Sequence, residues 1–352
     1  MNEELKTKVI EALKTVDDPE LKQDFVSLGM VGDISFNGPD VNIVINLTTP
    51  ACPLKGPITA DIKAAVSKIE GINNINVEFG SKMNTGSKKD AMPGVKNIIS
   101  VGSGKGGVGK STIAANLAAS LALEGAEVGL LDADIYGPSQ AKMFALDGKR
   151  IMADSGKNMI PIKSHGVKLI SIANLVEDGQ ALTWRGPILH GTLTQMLQQT
   201  IWGELDYLII DMPPGTGDVQ LSLSQLAPLT GGILVTTPQD VALLDVKRAY
   251  TMLRKTNIPV LGIIENMSFY ELPNGEKDYI FGEGGAVKFA EEEKINLLGQ
   301  IPITRALRES GDSGMPLVLA EPESPSSIAL RKAARSLAGF ISVQNSMNLP
   351  II

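Results

Sequence analysis

The sequence predicts an α/β protein in which a mostly parallel sheet is covered by helices on both faces, preceded by a small α+β domain. Short apolar runs typical of buried strands alternate with helical stretches over residues 96–345. This order favours a parallel sheet between two layers of helices. Residues 1–80 show a different, shorter pattern of helices and strands. In a parallel sheet of this kind, ligands bind at the carboxyl ends of the strands.

The small domain, residues 1–80, is predicted from the spacing of its apolar residues. They recur at helical spacing over residues 5–16 and again over 58–69. Apolar and polar residues alternate over 41–47, and a final strand is predicted over 72–79. The order of a helix, two or three strands, a helix and a strand is typical of a compact α+β unit.

A polar segment rich in Gly, Ser and Lys, residues 81–95, predicts a linker between two domains. The larger domain is predicted over residues 96–345, and residues 346–352 form a tail. Its strands are predicted from short apolar runs. In chain order these runs cover residues 98–101, 128–131, 169–172, 207–210, 233–235, 260–264 and 297–301.

The composition argues against several classes of function. The 352 residues carry a formal net charge of −7, which disfavours a nonspecific nucleic-acid or membrane surface. No apolar run approaches the roughly 18 residues that span a bilayer, and the start of the chain is polar. A single cysteine, Cys52, excludes an intrachain disulfide framework. We therefore expect a cytoplasmic protein that binds neither nucleic acid nor membrane.

Residues 102–112 fit the phosphate-binding pattern G-x-x-x-x-G-K-[ST], with Gly104, Gly109, Lys110 and Ser111 at its fixed positions. Glycine lets the backbone N–H groups curl around phosphates, and the helix that follows directs its positive dipole end at them. Lys110 then neutralises phosphate charge, and the Ser111 hydroxyl ligates Mg²⁺. A plain glycine-rich turn is the alternative, but the preceding strand and the following helix favour the phosphate loop. The predicted nucleotide-binding residues here are Gly104, Lys105, Gly106, Gly107, Val108, Gly109, Lys110, Ser111 and Thr112.

Carboxylates end two further predicted strands. Asp132 and Asp134 follow one apolar run, and Asp211 follows another. Beside a phosphate loop, an aspartate at a strand end holds Mg²⁺, directly or through water, and Asp211 fits that role best. Asp134 is the better candidate for orienting the attacking water, and residues 215–217 for sensing the γ-phosphate. The alternative is that such aspartates only cap the following helix.

The loop carries a second lysine, Lys105, in Gly-Lys-Gly-Gly-Val-Gly-Lys-Ser. This form resembles the deviant Walker A loop of the ParA/MinD/nitrogenase-reductase group of P-loop NTPases. The resemblance implies a nucleotide-sandwich dimer in which Lys105 reaches the phosphates bound by the partner. The predicted catalytic residues are therefore Lys105, Lys110, Asp134 and Asp211.

Several further motifs narrow the resemblance. They lie at residues 18–20, 48–53, 132–139, 184–187, 211–218, 265–268 and 280–285. Together they resemble the Mrp/ApbC-type iron–sulfur cluster carrier ATPases, including the small domain often fused ahead of them. The resemblance implies ATP as the nucleotide, a homodimer, and delivery of iron–sulfur clusters to apoproteins, with assembly proteins as further partners. We expect hydrolysis of ATP with Mg²⁺ to be slow, because the water-orienting residues must wait for the right dimer geometry. It also implies that Asn266 contacts the adenine and that the segment around Pro302 borders it.

The sequence departs from this family at the cysteines. Typical members carry a C-x-x-C pair shortly after the Glu-Asn-Met-Ser segment, whereas residues 269–279 contain no cysteine. A cubane cluster normally takes four thiolates, and His165 and His190 lack ligand-like spacing. Two interpretations of Cys52 remain. It is either an iron–sulfur ligand, whose thiolate form is favoured near a helix N-terminus, or a small buried core residue.

Two other functions compete with cluster carriage. A positioning or regulatory ATPase of the ParA/MinD kind needs a DNA or membrane surface, yet residues 340–352 contain no lysine or arginine. A scaffold that uses ATP only as a structural ligand is disfavoured, because Lys105, Lys110, Asp134 and Asp211 are all present.

Overall fold

A computed structural model of the protein describes residues 2–19, 23–47, 55–81, 92–175, 186–216, 220, 222–223 and 226–347. The chain divides into two compact units. One consists of Met1–Gly86 together with Ala338–Ile352, and the other is Ser87–Leu337. Cys52 and residues 184–185 and 217–218, which the sequence singled out, lie outside the described residues.

The N-terminal part of the small unit begins with a helix and ends with a parallel strand. Its elements are α1 (Asn2–Leu13), β1 (Val31–Asn37), β2 (Asp40–Leu47), α2 (Lys55–Val66) and β3 (Ile75–Ser81). The sheet order is β1-β2-β3, with β1 antiparallel and β3 parallel to β2. Alternate residues of β2 are buried, among them Ile43 and Ile45, and pack in one core with Ile58 and Ile62 of α2. The predicted α+β unit is confirmed.

The larger unit is built around a single eight-stranded sheet in the order β15-β12-β11-β4-β10-β5-β9-β8. The strands of the unit, in chain order, are β4 (Val95–Ser103), β5 (Val128–Asp132), β6 (Met152–Ala153), β7 (Met159–Ile160), β8 (Ile162–Ser164), β9 (Val167–Ser171), β10 (Leu205–Asp211), β11 (Gly231–Thr236), β12 (Val260–Asn266), β13 (Tyr270–Glu271), β14 (Lys277–Asp278) and β15 (Leu297–Ile301). Of these, β6 with β7 and β13 with β14 form two separate two-stranded sheets. All pairs in the sheet are parallel except β8 with β9. The predicted, mostly parallel sheet is confirmed.

Beyond β4, five of the helices that the structure describes lie between strands in the sequence, and three follow the last strand, β15. They are α3 (Lys110–Leu123), α4 (Gln140–Met143), α5 (Gly186–Gln198), α6 (Asp240–Lys255), α7 (Gly285–Glu293), α8 (Arg305–Ser313), α9 (Leu317–Ala320) and α10 (Pro325–Met347), with a short 3₁₀ turn at Ile172–Asn174. Among the described helices, none is long and apolar enough to cross a membrane.

All seven predicted strand runs fall on strands of this sheet. The runs succeed as predictors because the central strands are buried along their whole length, as β5, β10 and β11 show, and such strands read as continuous apolar segments. The sequence did not predict β8 or the two-residue pairs β6–β7 and β13–β14. Those strands are too short and too exposed to leave a periodic signal.

The strand order brings distant parts of the chain to one edge of the sheet. β4 lies between β10 and β11, and β10 lies between β4 and β5. In register, Asp211 at the end of β10 pairs with Asp132 of β5 on one side and with Val101 of β4 on the other. The carboxyl ends of β4, β5 and β10 therefore meet beside the loop that follows β4.

Candidate functional site

The loop between β4 and α3 is shaped by close approaches that only glycine allows. A Cβ on Gly104 would collide with the backbone of Asp245 in α6, and one on Gly109 would collide with the side-chain amide of Asn266. Gly107 and Gly109 also have φ of 82° and 82°, in the left-handed region that glycine adopts without strain. Packing therefore requires glycine at both fixed positions, Gly104 and Gly109, and the left-handed backbone requires it a second time at Gly109.

Helix α3 begins directly at the loop. Gly109 is its N-cap and supplies no side chain to cap the helix. The first helical hydrogen bond runs from the Ile113 N–H to the Gly109 carbonyl at 3.0 Å, so the amides of Lys110, Ser111 and Thr112 precede it. Free N–H groups at a helix N-terminus form an anion-binding site. The sequence-predicted phosphate loop has the local structure that phosphate binding needs.

Lys110 lies among carboxylates. Its Nζ forms an ion pair with Oδ1 of Asp211, lies 3.6 Å from Oδ2 of Asp134, and is 3.3 Å from the hydroxyl of Ser111. Lys110 is only 6% exposed and Asp211 is fully buried. One cation therefore contacts both predicted magnesium ligands, Ser111 and Asp211, and the structure brings together Lys110, Ser111, Asp134 and Asp211.

Asp132 anchors the loop that carries Asp134. Its Oδ2 accepts hydrogen bonds from the Ser139 and Gln140 N–H groups, both at 3.1 Å, and from the Ser171 hydroxyl at 2.9 Å. Burial, followed by the nearby charge of Asp211, raises the pKa of Asp132 to about 7. Burial also raises the pKa of Asp134. The capping interpretation therefore holds for Asp132, which binds backbone at the start of α4.

Gln140 is a site residue that the sequence did not predict. This buried side chain donates from Nε2 to Oδ2 of Asp211 at 2.8 Å and to the Ser111 carbonyl at 3.0 Å. Gln140 and Asp211 are 71 positions apart, and only the sheet topology brings them together. A single glutamine after a predicted loop carries no signal that would have found it.

Asn266 ends β12 against the phosphate loop. Its Nδ2 donates to the Val108 carbonyl at 2.9 Å, while its buried Oδ1 has no hydrogen-bond partner in the described part of the chain. The preceding Glu265 is fully buried and satisfied, since it accepts from the Ala286 N–H and from Gln300, each at 2.8 Å. Within the described residues, Asn266 thus holds a buried acceptor without a partner beside the loop, which is uncommon in folded proteins.

Three other residues considered in the sequence, Lys105, His165 and His190, make no hydrogen bond or ion pair with Lys110 or its carboxylate partners among the contacts that the structure describes. Lys105 is half-buried within the loop, and its carbonyl accepts a 2.9 Å hydrogen bond from the Ser103 hydroxyl. His165 lies 3.2 Å from the Gly314 carbonyl, and His190 is exposed on α5. Over the residues described, no group of three or more His, Cys, Asp or Glu side chains could hold a metal ion. Neither histidine joins the site.

Comparison with known families gives two matches. Residues 94–338 match the model of the NUBPL iron-transfer P-loop NTPases, and residues 6–79 match that of an iron–sulfur cluster assembly protein. The chain belongs to the NUBPL iron-transfer P-loop NTPase family. The resemblance stated from the sequence motifs is thereby confirmed.

Relatives of this NTPase match over nearly the whole chain. An iron–sulfur cluster carrier protein of Deinococcus radiodurans is 52% identical over 343 residues, covering 97% of this chain and 97% of its own length. A protein of the same name from Escherichia coli K12 is 42% identical over 350 residues, covering 96% and 95%.

Solved structures resemble the larger unit. A nucleotide-binding protein of Archaeoglobus fulgidus, solved in complex with ADP, has a TM-score of 0.60 and 38% identity, covering 68% of this chain and 93% of that one. The cell-division ATPase MinD of Pyrococcus furiosus has a TM-score of 0.54 and 24% identity, covering 68% and 97%. The second likeness shows a shared fold, and the predicted P-loop NTPase fold is confirmed.

Proposed function

We propose that this chain is an iron–sulfur cluster carrier that binds and hydrolyses ATP with Mg²⁺, works as a homodimer in the cytoplasm and loads clusters onto apoproteins. The observation that carries the proposal is the contact of Lys110 Nζ with both Ser111 Oγ and Asp211 Oδ1 at the phosphate loop. Two oxygens within reach of one cation form the donor set that P-loop NTPases use for Mg²⁺. The family match adds the iron–sulfur cargo.

The residues present fit a bound nucleotide with its metal. Ser111 and Asp211 supply the hard oxygen ligands that Mg²⁺ prefers, and Mg²⁺ would neutralise phosphate charge there. The amides at the start of α3, which precede its first helical hydrogen bond, suit phosphate oxygens. Oδ1 of Asn266, which has no hydrogen-bond partner among the described residues, suits a donor on the base. Asp134, half-buried beside Lys110, is proposed to orient the attacking water.

The cargo requires a second source of ligands. The chain contains one thiol, Cys52, so a dimer supplies two where a cubane cluster normally takes four thiolates. We propose that Cys52 contributes to cluster handling together with a small thiol or a partner protein. Anaerobic reconstitution should load less iron and sulfide onto Cys52→Ser than onto the unmodified chain, and equal loading would remove Cys52 from the proposal.

Cluster transfer tests the function as a whole. Reconstituted protein is mixed with an acceptor apoprotein, with and without Mg·ATP, and transfer is followed by circular dichroism of the acceptor's cluster. We expect Mg·ATP to change the transfer rate, and Lys105→Ala to abolish ATP turnover while ATP binding persists. Lys163→Ala, at an exposed position of β8, is the control. ATP turnover without any cluster binding would favour a regulatory ATPase instead.

A further inference from the structure

We infer that Gln140 is a positioning residue for the magnesium site, a role that rests on the proposed function. Its Nε2 hydrogen-bonds Asp211 Oδ2 at 2.8 Å and the backbone carbonyl of Ser111 at 3.0 Å. These partners belong to the two residues proposed to ligate Mg²⁺, but they are not the ligating atoms, which are the Ser111 hydroxyl and Asp211 Oδ1. A single buried side chain therefore fixes the spacing between β10, which carries the carboxylate, and α3, which carries the hydroxyl.

The chemistry of the partners sets the orientation of the amide. A carboxylate and a carbonyl can only accept hydrogen bonds, so both must face the NH₂ group of Gln140 rather than its oxygen. Both protons of that group are then used, and the bond to Asp211 is strengthened by the carboxylate charge. No other uncharged side chain of similar length supplies two such donors.

The backbone of Gln140 is also fixed by a hydrogen bond. Its backbone N–H donates to Asp132 Oδ2 at 3.1 Å, and the same oxygen accepts from Ser171 on the neighbouring strand β9 at 2.9 Å. The loop that carries Asp134 is thus fixed at one end by Asp132 and at the other by Gln140. The side chain of Gln140 ties this loop to the metal site.

The two oxygens of Asp211 consequently have separate tasks. Oδ2 stays bound to Gln140, while Oδ1, which contacts Lys110 in this structure, is the oxygen available to a metal. Removing the amide of Gln140 frees the carboxylate to rotate and loosens its alignment with Ser111. The substitution should therefore weaken metal binding and leave the phosphate contacts of the loop in place.

The test compares nucleotide binding with and without metal. A fluorescent ADP analogue is bound to the full chain, first in EDTA and then with increasing Mg²⁺. For Gln140→Met, which keeps the volume and removes both donors, we expect the half-saturating Mg²⁺ concentration to rise about tenfold, as loss of a hydrogen bond to a charged group implies. The ADP affinity in EDTA should change less than about twofold. Gln140→Asn keeps the amide on a shorter side chain. Its half-saturating Mg²⁺ concentration should lie between those of the unmodified chain and Gln140→Met.

Asn174→Leu is the matched control. Asn174 is also a buried amide with two acceptors, here the backbone carbonyls of Leu146 and Lys149. Its Oδ1, like Oε1 of Gln140, has no hydrogen-bond partner among the described residues. The Asn174→Leu substitution should lower the melting temperature without changing the half-saturating Mg²⁺ concentration. A Gln140 variant that follows the same pattern, or an unchanged Mg²⁺ response in both Gln140 variants, would overturn the inference. If the unmodified chain shows no Mg²⁺-dependent nucleotide binding, the proposed function itself fails.

Discussion

Replacing Asp211 with asparagine should strengthen ATP binding in the absence of Mg²⁺ and remove most of the gain that Mg²⁺ provides. In this structure Lys110 Nζ is paired with Asp211 Oδ1, so phosphates must compete with a carboxylate for the lysine. Asparagine keeps the shape of the side chain but removes its charge. Lys110 is then easier to recruit, while the metal loses its best protein ligand.

The size of the effect follows from the burial of the pair. Asp211 is fully buried and Lys110 is 6% exposed, so solvent screens their attraction little. A hydrogen bond to a charged group contributes about 1.5–3 kcal/mol. We take the lower end, because Asp134 remains 3.6 Å from Lys110 and still holds it. That energy corresponds to about a tenfold gain in Mg²⁺-free ATP affinity.

Isothermal titration of ATP in EDTA and in excess Mg²⁺ measures both affinities. Asp206→Asn is the matched control, since Asp206 lies in the same strand and pairs with Lys96 at 2.8 Å. The control should resemble the unmodified chain in both titrations. A folded Asp211→Asn protein whose affinity in EDTA is unchanged or weaker would refute the idea that this ion pair restrains Lys110.

Three further outcomes are expected. Gly109 has φ 82° and lies against the Asn266 amide, so Gly109→Ala should destabilise the fold by about 1–3 kcal/mol in urea titrations. Gly106→Ala is the control and should leave the stability unchanged, because a Cβ at that position meets open space. The pKa of Asp132, raised to about 7, means that the folded state holds its proton more tightly, so stability should fall as pH rises from about 4 to about 7. In Asp132→Asn the melting temperature should fall less over this pH range than in the unmodified chain. Equal pH dependence of the melting temperature in the two proteins would contradict the expectation. Arg335→Met breaks a 2.7 Å but partly exposed pair with Glu124 and should cost less than about 1 kcal/mol in the same titrations.

The fold could be predicted because its strong signals are local. Buried parallel strands are continuous apolar runs, and the loop over residues 104–109 is a contiguous motif between a strand and a helix. Asp134 and Asp211 could be placed at the site because both follow such strands. Parallel strands bring their carboxyl ends to one edge, whatever lies between them in sequence.

The rest of the site depends on pairings that no local pattern encodes. Asp132 and Asp134 looked alike in the sequence, yet Asp132 accepts bonds from the start of α4 while Asp134 lies near Lys110. Burial separates them, since Asp132 is fully buried and Asp134 only half-buried. Gln140 was missed for a related reason, because its partners are fixed by the order β4-β10-β5 rather than by its neighbours in the chain.

The hairpin that follows β12 bears on how a cluster could be carried. Residues 269–279, where the resemblance predicts a cysteine pair, contain no cysteine, and β13 and β14 pair there through Tyr270 and Asp278. The ammonium of Lys277 lies 4.1 Å from the centre of the Phe269 ring, which also meets Tyr279 edge-on. These contacts close the hairpin with its own side chains and present no thiolate. Because Cys52 is the one thiol of the chain and a cubane cluster normally takes four thiolates, we expect cluster retention by the purified chain to depend on an added small thiol.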